Sequence, residues 1–130
     1  MKVLQPAGWP RPKGYSNGIS ARGRLVVTGG MVGWNDQEIF ESPHLVDQFE
    51  QALLNVLAVL AEGGAGPGHI VRMTCYVIDI EAYHRARAEL GPVWKRVMGD
   101  HYPAMALVAV TRLVEPGAEV EIDAMAVVEE

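Results

Sequence analysis

YPAMALVAVTRLVEPGAEVEIDAMAVV, residues 102–128, holds two apolar runs, 105–113 and 120–128, on either side of Glu115-Pro116-Gly117-Ala118. Pro suits the second position of a β-turn and Gly the third, where φ is positive, so the pattern predicts a long hairpin. In the second run Val120, Ile122, Ala124 and Ala126 fall on one face and Glu121, Asp123 and Met125 on the other. Strand periodicity thus places two carboxylates on one face. Residues 105–110 are apolar without alternation, the pattern of a strand covered on both faces.

Upstream of this stretch, residues 81–98 carry Tyr83, Ala86, Leu90, Trp94 and Val97 at helical spacing, with Gly91-Pro92 placed to bend or break the helix. Residues 69–79 return to period two, with Val71, Met73, Cys75 and Val77 on one face, and predict a central strand. A firmer helix precedes it. Leu45, Phe49, Ala52, Leu53, Val56, Leu57 and Leu60 recur at three- and four-residue spacing until Gly63-Gly64, and Ser42-Pro43 reads as N-cap and first helical position. Residues 31–41 read as a surface loop. Residues 19–21 and 25–28, around Arg22-Gly23-Arg24, read as a short hairpin that Gly29-Gly30 ends. The prolines of the N-terminal arm, Pro6, Pro10 and Pro12, leave room for one short strand there.

The order is β, β, β, α, β, α, β, β, an α+β domain with six strands and two helices, and 130 residues suit a single domain, 1–130. Hydrophobic residues make up 49% of the chain and charged ones 21%, a composition that folds. The net charge of −5 gives a polynucleotide no electrostatic footprint. No apolar run approaches a membrane span, the N-terminus lacks the core of a signal peptide, and the lone Cys75 makes no internal disulfide. The expectation is a cytoplasmic protein with neither nucleic-acid nor membrane partner. Two helices cover one face of the sheet, yet several strands are apolar on both. The uncovered face predicts self-association, with pockets along the seams between subunits.

Several pieces in this order resemble the RidA/YjgF family, also labelled L-PSP endoribonuclease. They are Gly14-Tyr15-Ser16, the strand end Val27-Thr28-Gly29-Gly30, the helical run Gln51-Ala52-Leu53-Leu54-Asn55-Val56-Leu57, His69-Ile70-Val71, Tyr102-Pro103-Ala104 and Val120-Glu121-Ile122-Asp123-Ala124. The resemblance implies a chorismate-mutase-like six-stranded sheet with two helices on one face, a homotrimer, and hydrolysis of reactive enamines or imines to a keto acid and ammonia. It makes Tyr15 and Glu121 the catalytic residues, with Glu121 ordering the attacking water. It makes Thr28, Gly29, Gly30, Arg87, Met105 and Leu107 the substrate-binding residues, and implies neither cofactor nor metal.

Four of those positions depart from the family pattern. Where the family holds the substrate carboxylate with Arg after Pro-Ala, this chain has Met105; Leu107 stands for a Cys, Thr28 for a Ser and Arg87 for an Asn. A thioether offers no donor to a carboxylate, so another cation must anchor it, with Arg87, Arg112 and Arg72 the candidates, or the ligand differs. The N-terminal residues 5–14, Gly33-Trp34-Asn35 and Tyr102-Pro103-Ala104-Met105 resemble the arginine-lacking branch that includes 2-aminomuconate deaminase.

Simpler readings stand beside these. Glu121 also reads as a solvated or salt-bridged rim residue, and Tyr15 as loop packing. Asp123 reads as structural, Cys75 as buried filler, and Trp94 as packing on its helical stripe. His44, His69, His84 and His101 lack paired metal-ligand spacing. Three functions follow: an enamine/imine deaminase, a small-metabolite-binding paralogue without turnover, and a ribonuclease. The acidic charge and the lack of a His pair argue against the third.

Overall fold

The computed structural model describes residues 1–130. Its elements are β1 (Lys2–Leu4), β2 (Gly18–Ser20), β3 (Arg24–Val27), β4 (Met31–Val32), α1 (Leu45–Glu62), β5 (Ile70–Val77), α2 (Ile80–Met98), β6 (Ala104–Ala109) and β7 (Val120–Val128), with a 3₁₀ turn at Pro67–His69 before β5. The α+β class is as expected. The strands do not form one six-stranded sheet: β1 and β2 pair with each other, and a separate mixed sheet runs β3-β7-β5-β6, with β4 also on β7.

The turn at Glu115–Ala118 forms as read, with φ +89 at Gly117 and the Ala118 N–H on the Glu115 carbonyl at 3.2 Å. The hairpin does not. β5 lies between β6 and β7, parallel to the first and antiparallel to the second. Residues 110–119 form a connection wide enough for β5 to fit between them, which leaves β6 as an edge strand, half-buried and not covered on both faces.

The second expected hairpin is absent too, because Ile19 and Ser20 pair with β1 while β3 pairs with β7. Gly23 is required there by close approach, not as a turn tip: with φ +147, a Cβ on it would lie 2.2 Å from the Val128 carbonyl oxygen. β3 ends at Val27, ahead of Gly29-Gly30 as expected, but the edge resumes beyond the glycines as β4, at two residues expected to be loop. Val27 faces Met125 and Met31 faces Ile122, so the β3–β4 edge has one residue more than β7 between those pairs. The glycines form a bulge, and β4 resumes the same pairing.

α1 starts at Leu45, three residues after Ser42. Ser42 Oγ accepts from the His44 N–H (3.1 Å) and donates to Asp47 (2.7 Å), so it closes a turn ahead of the helix while His44 takes the cap position. α2 is capped by Asp79, which accepts from the Ala82 N–H at 3.0 Å, and it runs unbroken through Pro92. Pro92 and Ala88, whose carbonyl loses its partner, are both exposed, so the carbonyl is not left unpaired in the core.

Both helices pack on one face of the larger sheet. Phe49, Leu53, Val56 and Leu60 of α1 meet Met73, Cys75, Val120 and Ile122 there, and Leu90, Val93 and Trp94 of α2 extend the cluster. Gln48 supports the turn from below, bonding the Gly117 carbonyl and the Glu119 N–H. The opposite face is bare, with Leu25 62%, Val27 52% and Met125 46% exposed. No helix is long and apolar enough to cross a membrane.

Candidate functional site

Two groups of the expected site residues come together, each on a different part of the sheet. The first gathers at β6. Gly14, with φ +79, turns the loop so that buried Ser16 donates its N–H to the Pro103 carbonyl (3.0 Å) and its hydroxyl to the Tyr102 carbonyl (2.5 Å). Tyr15 is thereby held beside the start of β6, 43% exposed, with its ring available to a planar ligand. Met105 and Leu107 point toward the helical layer and pack on the core cluster. They share a cavity of about 290 Å³ with Arg87 of α2 and with Lys13 and Gly14.

The second group gathers at the bulge. The Thr28 N–H is bonded to the Ala124 carbonyl (2.9 Å), and its hydroxyl accepts from the Ala124 N–H (3.1 Å). Thr28 thus holds the edge onto β7, and its own N–H is not available to a ligand. The N–H groups of Gly29 and Gly30 make no hydrogen bond within the backbone. Gly30 lies directly against Glu121: a Cβ on it would fall 2.3 Å from Glu121 Oε2. A half-buried carboxylate therefore lies against a bulge whose two glycine amides are unspent.

The single chain does not bring the two groups together. Glu121 pairs across to Tyr76, and Tyr76 to Val108, so two strand spacings, roughly 10 Å, separate Glu121 from β6. Glu121 also faces away from the helices, whereas Met105 and Leu107 face them.

Asp123 accepts from the Tyr76 hydroxyl at 3.1 Å, which raises the Tyr76 pKa above its ordinary value and accords with a structural role. Cys75 is fully buried, and burial pushes its thiol up to about 12, an unreactive side chain at neutral pH. Trp94 is buried on its stripe as expected, its indole N–H on the His101 carbonyl at 3.1 Å, but it also lines the cavity. Lys13 was missed as a site residue. Its only sequence signal is its place before Gly14, and the loop's fold against β6 is what brings it in.

The RutC family protein slr0709 of Synechocystis is 33% identical over 98% of this chain and 96% of its own. The Escherichia coli protein named "putative reactive intermediate deaminase TdcF" is 29% identical over 97% of this chain and 96% of its own. The crystal structure of TdcF with bound serine superposes with a TM-score of 0.70, covering 99% of this chain and 100% of that one at 27% identity. The Rid family protein YyfB of Yersinia pestis, a protein of unknown function, superposes at 0.81, with 98% of each chain covered and 27% identity. With its residues 10–128 matched by the family model for endoribonuclease L-PSP, the chain belongs to the L-PSP, or RidA/YjgF, family.

Proposed function

We propose that this protein is a deaminase that hydrolyses reactive enamines or imines of 2-amino acids, at a pocket completed between copies of the chain. One observation carries the reading: the Glu121–Gly30 spot and the Met105–Arg87 cavity lie on different strands and opposite faces of a sheet whose second face is bare. A neighbouring copy packed on that face can bring one group of the first chain to the other group of the second, and a closed ring repeats the seam, three times in the expected homotrimer. The name of the relative TdcF supports the chemistry.

In this reading an enamine first takes a proton at carbon to become the iminium. Water held by Glu121 adds to the electrophilic carbon and gives Glu121 a proton. The amide N–H groups of Gly29 and Gly30 face the carbinolamine oxygen, where negative charge develops as that intermediate collapses. Glu121 returns that proton to the nitrogen, the hydroxyl gives up its own proton to solvent as the C–N bond breaks, ammonia leaves, and a keto acid remains. Tyr15 closes over the conjugated substrate. The resemblance to the arginine-lacking branch names 2-aminomuconate as the candidate substrate.

Glu121→Ala is expected to lower ammonia release by about 10²–10⁴-fold, the usual worth of general acid–base help, while sedimentation shows an intact oligomer. A fully active Glu121→Ala protein would refute the role. Freshly generated 2-aminomuconate set against 2-iminobutyrate tests the branch. Saturable binding of either, with no ammonia from any enamine or imine, would favour the binding paralogue.

A further inference from the structure

The cavity beside β6 has an apolar floor and a charged rim. Leu90 and Trp94 are buried in the floor, and Met105 and Leu107 reach it half-buried from β6. None of the four offers a donor to a carboxylate, since the indole N–H is already given to His101. The rim holds the exposed cations Lys13 and Arg87, and neither makes an ion pair within the chain. The other cations are elsewhere. Arg72 stands opposite Met125 on the bare face, and Arg112 follows β6 outside the cavity lining. Arg24, Lys95 and Arg96 are already paired with Glu130, Asp100 and Glu50.

We infer that Lys13 and Arg87 together hold the substrate carboxylate at the rim, and that the floor beneath them selects 2-imino or 2-enamino acids whose carbon skeleton extends four or more atoms past the reacting carbon. The inference rests on the deaminase reading of the same site and adds its substrate class. Two cations around one carboxylate give charge-assisted bonds that Met105 cannot. Each further methylene buried on the floor is worth roughly fourfold in affinity. A three- or four-carbon acid bonded at the rim leaves the floor unfilled.

Calorimetric titration of the intact protein with keto acids, the products of the proposed reaction, tests this without needing turnover. 5-Methyl-2-oxohexanoate should bind at least tenfold more tightly than 2-oxobutyrate, and inorganic phosphate should bind more weakly than the longer acid. The Lys13→Gln, Arg87→Gln double variant, at two exposed positions, should weaken both keto acids at least tenfold with its oligomer retained. Met105→Arg should narrow or reverse the chain-length preference. Equal affinity for the two keto acids, no binding of either, or unchanged affinity in the double variant would overturn the inference. This binding pattern without ammonia release would uphold the inference while the deaminase reading fails. Ammonia release with unchanged KM in the double variant would do the reverse.

Discussion

Along β7, Val120, Ile122, Ala124 and Ala126 are at most 1% exposed, while the residues between them, Glu121, Asp123 and Met125, are half-buried or open, Met125 at 46%. The same strands thus carry two faces with opposite fates. On one, two helices seal nineteen residues into a single cluster; on the other, Leu25, Val27, Val108 and Met125 stay accessible around two carboxylates. The difference teaches where each kind of information sits. The covered face is fully used in folding one chain, and the bare face leaves its apolar area and its polar groups unspent in that chain.

The sharpest test of this contrast lies in the core. Leu53→Ala, at a fully buried position of α1, should cost about 2–5 kcal/mol in urea unfolding, because it combines lost transfer energy with a cavity. A loss under ~1 kcal/mol would mean that the covered face is not the closed core described.

Alkaline pH probes the same face. The Cys75 thiol ionises near its ordinary value in the unfolded chain but only at about 12 when folded, so above pH ~9 the unfolded state releases this proton first. Stability is therefore unaffected by this group below that pH and falls by up to about 1.4 kcal/mol per pH unit between the two values. Cys75→Ala should flatten that limb in unfolding curves taken from pH 8 to 11. A wild-type limb that matches the variant's would contradict the burial.

A smaller effect concerns how the helical layer is started. Asp79→Ala removes the cap of α2 and should cost about 1 kcal/mol in the same unfolding assay. The smallest change in protomer stability belongs to the bare face. Met125→Glu, set opposite Arg72, should alter folding of a single chain by no more than ~0.5 kcal/mol. In sedimentation it should nonetheless dissociate the proposed assembly, and an unchanged oligomer would show that this face is not the seam.

Much of the fold was legible locally. The stripe of α1, the alternation of β7 and the turn with Gly117 at positive φ all appear as read. The strand partners were not. A turn at Glu115–Ala118 says that the chain reverses, not that β6 and β7 touch, and β5 fits between them because each flank of β5 then gains a hydrogen-bonded neighbour. Gly29-Gly30 read as a stop for the same reason, since a bulge is recognised only when the opposite strand is known. For the candidate site, Glu121 and its face could be read from alternation, and the departure at Met105 from the motif around it. The contribution of Lys13 could not.

Amino-acid order by itself determined both helices, most of the strands (though not β4 at Met31–Val32), the turn at Glu115–Ala118, and that one face of the sheet would be left apolar and uncovered. These depend on residues within a few positions of one another, through periodicity and turn chemistry. Tertiary structure alone decided that β5 separates β6 from β7, that Ser16 is tied to Tyr102 across 86 residues, and that Lys13 and Arg87 line one cavity. Those pairings are chosen by competition among distant segments for hydrogen bonds and buried area, and no short window of sequence contains the competitors.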